Sequence, residues 1–141
     1  MNKIRFEKIT LDNCEEAVKI YDDNHNLKTD IAKLKKQIAR LADNSDYYNM
    51  AVYSDEKIVG ILTAIVNHNI VEALHPFMTV WNLGVARDYR RKGIGTQILD
   101  YIFNLAKDLN CDFVALLADS SNKAAINLQS KSSIQSRSRV C

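Results

Sequence analysis

The sequence predicts a mixed α/β domain of the α+β type, and three features carry that prediction. Runs rich in β-branched and aromatic residues alternate with segments of helical periodicity. YYNMAVY and IVGILTAIV flank the polar stretch SDEK, which reads as a β-hairpin. A strand, a helix and a further strand then surround RRKGIG.

Composition excludes several classes of protein. At 141 residues the chain fits one domain with a sizeable core. Its 47% hydrophobic and 26% charged residues are ordinary for a soluble globular protein. A net charge of +2 is too small to argue for nucleic acid or an anionic membrane as partner. No apolar run reaches the ~18 residues a membrane span needs, and MNKIRFEKIT lacks the layout of a signal peptide. Cys14, Cys111 and Cys141 are far apart and without metal spacing. They read as reduced thiols of a cytoplasmic protein.

The elements follow in order. KIRFEKI alternates apolar and polar residues, as a half-buried strand does. Asp12 followed by Glu15 suggests a capping box, with Ala17, Val18 and Tyr21 forming the apolar face of a first helix. In TDIAKLKKQIARLAD, Ile31, Leu34, Ile38 and Leu41 recur at helical spacing over a basic face, and Thr29 or Asp30 can cap the start. This stripe reads as core-facing. The hairpin comes next, with Asp55 and Glu56 at its tip. The loop NHNIVEALHP carries His68 and His75, whose spacing matches no zinc pattern, so no metal site is expected. FMTVWNLGV is almost continuously apolar and reads as a strand covered on both faces.

After RRKGIG, Ile98, Tyr101, Ile102, Leu105 and Leu109 mark one helix face, which ends at Asn110. CDFVALLA, Cys111 to Ala118, reads as another buried strand, and SSNKAAINLQ as the start of a last helix. From Ser130 the chain loses apolar periodicity and acidic residues, which divides it into a folded domain over 1–129 and a disordered, weakly basic tail over 130–141.

RRKGIG sits where a buried strand ends and a helix begins. The first amides of a helix have no intrahelical partner, and with the aligned dipole they form an anion site. Gly93 and Gly95 lack a Cβ, which lets phosphate oxygens approach the backbone. Arg90, Arg91 and Lys92 add positive charge beside those amides. A pyrophosphate fits this arrangement. The Walker pattern is absent, and the dinucleotide fingerprint is only half present, with Ile98 where its third glycine belongs.

Arg90-Arg91-Lys92-Gly93-Ile94-Gly95 resembles the Q/R-x-x-G-x-G/A motif of the GNAT superfamily of acetyl-CoA-dependent N-acetyltransferases. NLGVARDYR before it and SSNKAAINL after it resemble the flanking segments of that family, so the likeness runs from Phe77 to about Leu128. The resemblance implies a mostly antiparallel central sheet flanked by helices. Acetyl-CoA would be the cosubstrate and a small-molecule or peptide amine the acceptor. The amides from Arg91 through Thr96, including Lys92, Gly93, Ile94 and Gly95, would hold the CoA pyrophosphate with Arg90 alongside. Leu83 and Val85 would pair their backbone with the pantetheine arm as an added strand does, and Asn122 would contact the cofactor.

This chain also departs from the family pattern. Trp81 stands where many members carry a glutamate, and Gln129 where a tyrosine protonates the leaving thiolate. Ser133-Ile134 replaces the usual Gly-Phe pair, and the family's final strands have no counterpart. The catalytic residues are therefore not placed by the motif; Glu72 and His75 are the nearest candidates. A non-catalytic CoA-binding or interaction module is the alternative reading, and a nucleotide-binding domain a further one. Lacking those last strands, Cys111 to Ala118 would leave an open sheet edge, which suggests a homodimer.

Overall fold

A computed structural model of the chain describes residues 3–71 and 75–117. The last helix and the tail expected from the sequence, with Glu72, Asn122 and Gln129, lie outside the described residues. Within them the order is β1 (Ile4–Lys8), α1 (Cys14–His25), α2 (Ile31–Leu41), β2 (Tyr47–Ser54), β3 (Lys57–Asn67), β4 (Phe77–Val85), a 3₁₀ turn at Arg87–Tyr89, α3 (Ile94–Asp108) and β5 (Val114–Leu116). The strands form one five-stranded sheet in the order β1-β2-β3-β4-β5. All neighbours are antiparallel except β4 and β5, which the α3 crossover makes parallel.

Strand alternation divides the core between the two faces of the sheet. Met50, Val52, Leu62, Ala64, Met78 and Val80 pack against Ile94, Ile98, Ile102 and Phe103 of α3. Ala51, Ile58 and Ile61 point the other way, against Ala17 and Ile20 of α1. The β2–β3 turn forms at Asp55 and Glu56, with Asp55 in the left-handed region at φ 54°. A bulge between Val52 and Tyr53 leaves Val59 without a register partner, so that Val59 and Gly60 both face the α3 side while Ile58 faces α1.

Three local expectations are corrected by the structure. Asp12 is not the first cap: α1 starts after Asn13, whose Oδ1 accepts from the Thr10 amide at 2.7 Å and whose Nδ2 donates to the Lys8 carbonyl at 3.1 Å. Asn13 thereby ties the end of β1 to the helix. The stripe of α2 is only half-buried, and none of its residues is fully buried. Its packing partner is α1, which already occupies that face of the sheet. Asp30 does cap α2, accepting from the Lys33 amide at 3.1 Å. Thirdly, β4 is not covered on both faces: Met78 and Val80 are buried against the α3-side core, whereas Thr79 is only half-buried and Trp81 and Asn82 are exposed.

The α1–α2 connection is fixed from within. Asn26 turns the chain at φ 55°, and the Asp22 carboxylate accepts from both the amide and the hydroxyl of Thr29, at 2.9 and 2.7 Å.

Candidate functional site

The site is built where β4 runs out into α3. Pairing of β4 with β5 covers Met78 to Val80 only, and the Leu117 amide closes it on the Val80 carbonyl at 3.0 Å. Among the described residues, no strand pairs with Trp81–Val85 on that side. On the other side β4 follows β3, but the register jumps between Ile61↔Gly84 and Thr63↔Trp81. Asn82 and Leu83 stand opposite Leu62 there, and Asn82 takes a left-handed φ of 57°. A bulge of this kind bends and further twists the strand that carries it. Leu83 and Val85 thus lie on a stretch that no described strand pairs on that side, with their side chains against the α3-side core.

Val85 is held firmly. Its carbonyl accepts from Asn24 Nδ2 of α1 at 3.2 Å and from Arg90 Nε at 3.3 Å. Arg90 therefore folds back onto the strand end and does not reach outward. Gly84 gives Asn24 room, since a Cβ there would lie 3.2 Å from the Asn24 side-chain nitrogen.

The loop itself presents donors. Arg91 has φ 62° and Gly93 φ 81°, so the backbone twice enters the left-handed region before α3 begins. Alternation of this kind turns successive amides inward to form a concave anion nest. The Arg90 amide is used, donating to Arg87. Among the described residues, the amides of Arg91, Lys92, Gly93, Ile94, Gly95 and Thr96 have no hydrogen-bond acceptor. The intrahelical ladder starts only with Gln97, which donates to the Gly93 carbonyl at 3.1 Å. Nothing lies within 4 Å of where a Gly93 Cβ would stand, so the approach is open. Lys92 and Lys57 both place an ammonium over the Tyr89 ring, at 5.2 and 5.4 Å, and border the loop with positive charge.

His75 is not brought to this loop. It precedes β4, exposed, with Nδ1 2.9 Å from Asp112. Strand rise puts Leu83 roughly 20 Å beyond Phe77 at that end. His68 likewise pairs with Asp46 at 2.9 Å, and among the described residues no cluster could hold a metal. Cys111 lies near His75 in a shallow cavity of about 720 Å³. Burial first and then the Asp112 carboxylate push its thiol up, which keeps it protonated and unreactive near neutral pH.

The sequence reading missed Asn24, the bulge at Asn82 and the neighbours of Asn82 on the sheet. An asparagine inside an otherwise apolar strand was the available signal, because asparagine enters the left-handed region readily.

A five-stranded, mostly antiparallel sheet flanked by three helices, with open amides at the start of the third, is the fold of a known class of transferases. The sequence model of the acetyltransferase (GNAT) family matches residues 11–131. The chain belongs to that family and is an acetyltransferase of GNAT type. A search of curated proteins finds no match. Among solved structures, an aminoglycoside acetyltransferase from an uncultured soil metagenomic sample superposes with a TM-score of 0.80 at 18% identity, over 98% of this chain and 92% of that one. Glucosamine-6-phosphate N-acetyltransferase from Arabidopsis thaliana gives 0.75 at 11% identity, over 99% and 98%. A GNAT family acetyltransferase of Staphylococcus aureus gives 0.74 at 22% identity, over 86% and 90%. At these identities the superpositions establish the fold.

Proposed function

We propose that this chain transfers the acetyl group of acetyl-CoA to a primary amine in the cytoplasm. The observation that carries the reading is the run of unpartnered amides from Arg91 through Thr96. Donors of this number, at the positive end of a 15-residue helix, suit the two phosphates of CoA. The open backbone at Leu83 would accept the pantetheine arm as an added strand. That arm would carry the thioester into the gap between β4 and β5, where a β4 amide can stabilise the oxygen that gains negative charge.

The chemistry follows from that placement. The amine nitrogen, once it has lost a proton, attacks the thioester carbon, the C–S bond breaks, and the amide and CoA thiol leave. No carboxylate or imidazole stands in the β3–β4 rows beside Leu83 among the described residues. The proton would therefore leave through water. Among the described residues no helix is long and apolar enough to cross a membrane.

Calorimetric titration with CoA, with ATP and NAD as competitors, tests the reading. CoA should bind and outcompete both, and Gly95→Val should weaken it by tenfold or more, on the order of the loss expected when a branched side chain displaces a phosphate from backbone amides. Acetyl transfer is then read as CoA thiol released over a panel of amines. Equal binding of CoA by parent and Gly95→Val would overturn the pyrophosphate assignment.

A further inference from the structure

The sheet face on the α1 side is covered only in part. Ala51, Ile61 and Gly84 lie beneath α1, and the next cross-strand row is Asn49–Thr63–Trp81, followed by Tyr47–Ile65–Thr79. These two rows are partly open to solvent, and Trp81 is 44% exposed. They lie directly beside the bulge at Asn82, on the strand that leads to the amide nest.

Their hydrogen bonds are already arranged. The Thr63 hydroxyl donates to Asn49 Oδ1 at 2.8 Å and accepts from Asn82 Nδ2 at 3.3 Å. The Thr79 oxygen accepts from Trp81 Nε1 at 3.2 Å and from Asn67 Nδ2 at 3.1 Å. The indole N–H is thus spent within the strand, so the exposed part of Trp81 offers only its ring face. Donors and acceptors remain free: the Asn49 amide nitrogen, Asn82 Oδ1 and the Thr79 hydroxyl proton have no partner among the described residues. Neither row contains a carboxylate. The carboxylates flanking them, Glu7 on β1 and Asp46 at the start of β2, are each engaged, with Arg5 at 2.8 Å and His68 at 2.9 Å.

We infer that this surface recognises the acceptor, and that it selects a hydroxylated amine carrying a single amino group, amino-sugar-like in chemistry, over polycationic amines. The inference rests on the acyl-transfer reading above. A polycation bound here would have to shed water from several charges with no carboxylate in either row to receive them. A ring with hydroxyls on its rim and C–H bonds on its face meets the reverse: amide and hydroxyl partners at the rim, and an indole beneath. Trp81 is then a specificity-determining residue, standing where the acceptor must lie to reach the thioester beside Leu83.

Trp81 is also the sole tryptophan of the chain, so its emission reports this surface alone. The CoA-loaded protein is titrated with glucosamine and, separately, with spermidine. Glucosamine should quench or shift the emission saturably, and spermidine should not. In the transfer assay Trp81→Ala should raise KM for glucosamine about tenfold with CoA affinity unchanged, whereas Trp81→Phe should stay within about threefold. Spermidine binding as tightly as glucosamine, or an unchanged KM in Trp81→Ala, overturns the inference. A chain that binds CoA yet gives no glucosamine response overturns it alone. A chain that fails to bind CoA overturns the acyl-transfer reading, and the inference with it.

Discussion

Gly60 on β3 and Gly84 on β4 stand opposite Val85 and Ile61, one register step apart and on opposite faces of the sheet, and the structure assigns them different costs. A Cβ on Gly60 would lie 3.0 Å from the Gly84 carbonyl oxygen and 3.3 Å from both Ile98 Cδ1 and Val52 Cβ. The oxygen is backbone, and the other two atoms sit on fully buried side chains of the α3-side core. Nothing there yields without moving β4 or α3. Gly60→Ala therefore falls among overpacking substitutions, at about 2 kcal/mol. In a domain of this size that lowers Tm by roughly 5–10 °C. Gly84→Ala meets only the Asn24 amide at 3.2 Å and Ile20 Cγ2 at 3.9 Å. Asn24 is a side chain free to rotate aside, so this change should cost under about 1 kcal/mol. It removes one donor from the Val85 carbonyl, which keeps its bond from Arg90. Urea and thermal unfolding of both variants, followed by CoA titration, give the comparison. Gly60→Ala should lose stability and, under the proposed function, CoA affinity too, because the displaced carbonyl belongs to the strand proposed to meet the pantetheine arm. A Gly60→Ala protein as stable as the parent, or a Gly84→Ala protein less stable than Gly60→Ala, would refute the claim that β4 is seated by backbone contact with β3.

Other predictions concern the loop, the thiol and the edge. Gly93→Ala meets no atom within 4 Å and carries only the strain of φ 81°, so unfolding should show a loss of about 1–2 kcal/mol. A loss well beyond that would mean the loop is packed more tightly than the open approach suggests. Peptide mapping after iodoacetamide treatment should find Cys111 alkylated more slowly than a free thiol at neutral pH, and faster as pH rises, because its thiol is held up by burial and by Asp112. Rapid labelling at neutral pH would contradict that. At β5, an edge strand among the described residues, sedimentation at high concentration should show a dimer. A clean monomer would count against pairing through that edge.

Local pattern in the sequence determined the elements and their order, and it marked the junction where the open amides lie. β-Branched runs, helical spacing and the Asp55-Glu56 turn are short-range properties, and the structure places β1 through β5 and α1 through α3 within a few residues of where those patterns fall. The nest at Arg91 to Thr96 was legible for the same reason. Glycines and cations at a strand-to-helix junction act through neighbouring amides, so their chemistry is written in consecutive residues. The acceptor face was not legible. Asn49, Thr63 and Trp81 are far apart in the chain and meet only because the strands pair in one register, which the bulge at Asn82 shifts. The apolar run FMTVWNLGV likewise gave no sign that α1 covers Gly84 but leaves Trp81 and Asn82 exposed. Which residues share a face depends on pairing across strands and on how far each helix covers the sheet, and only the tertiary structure decides those.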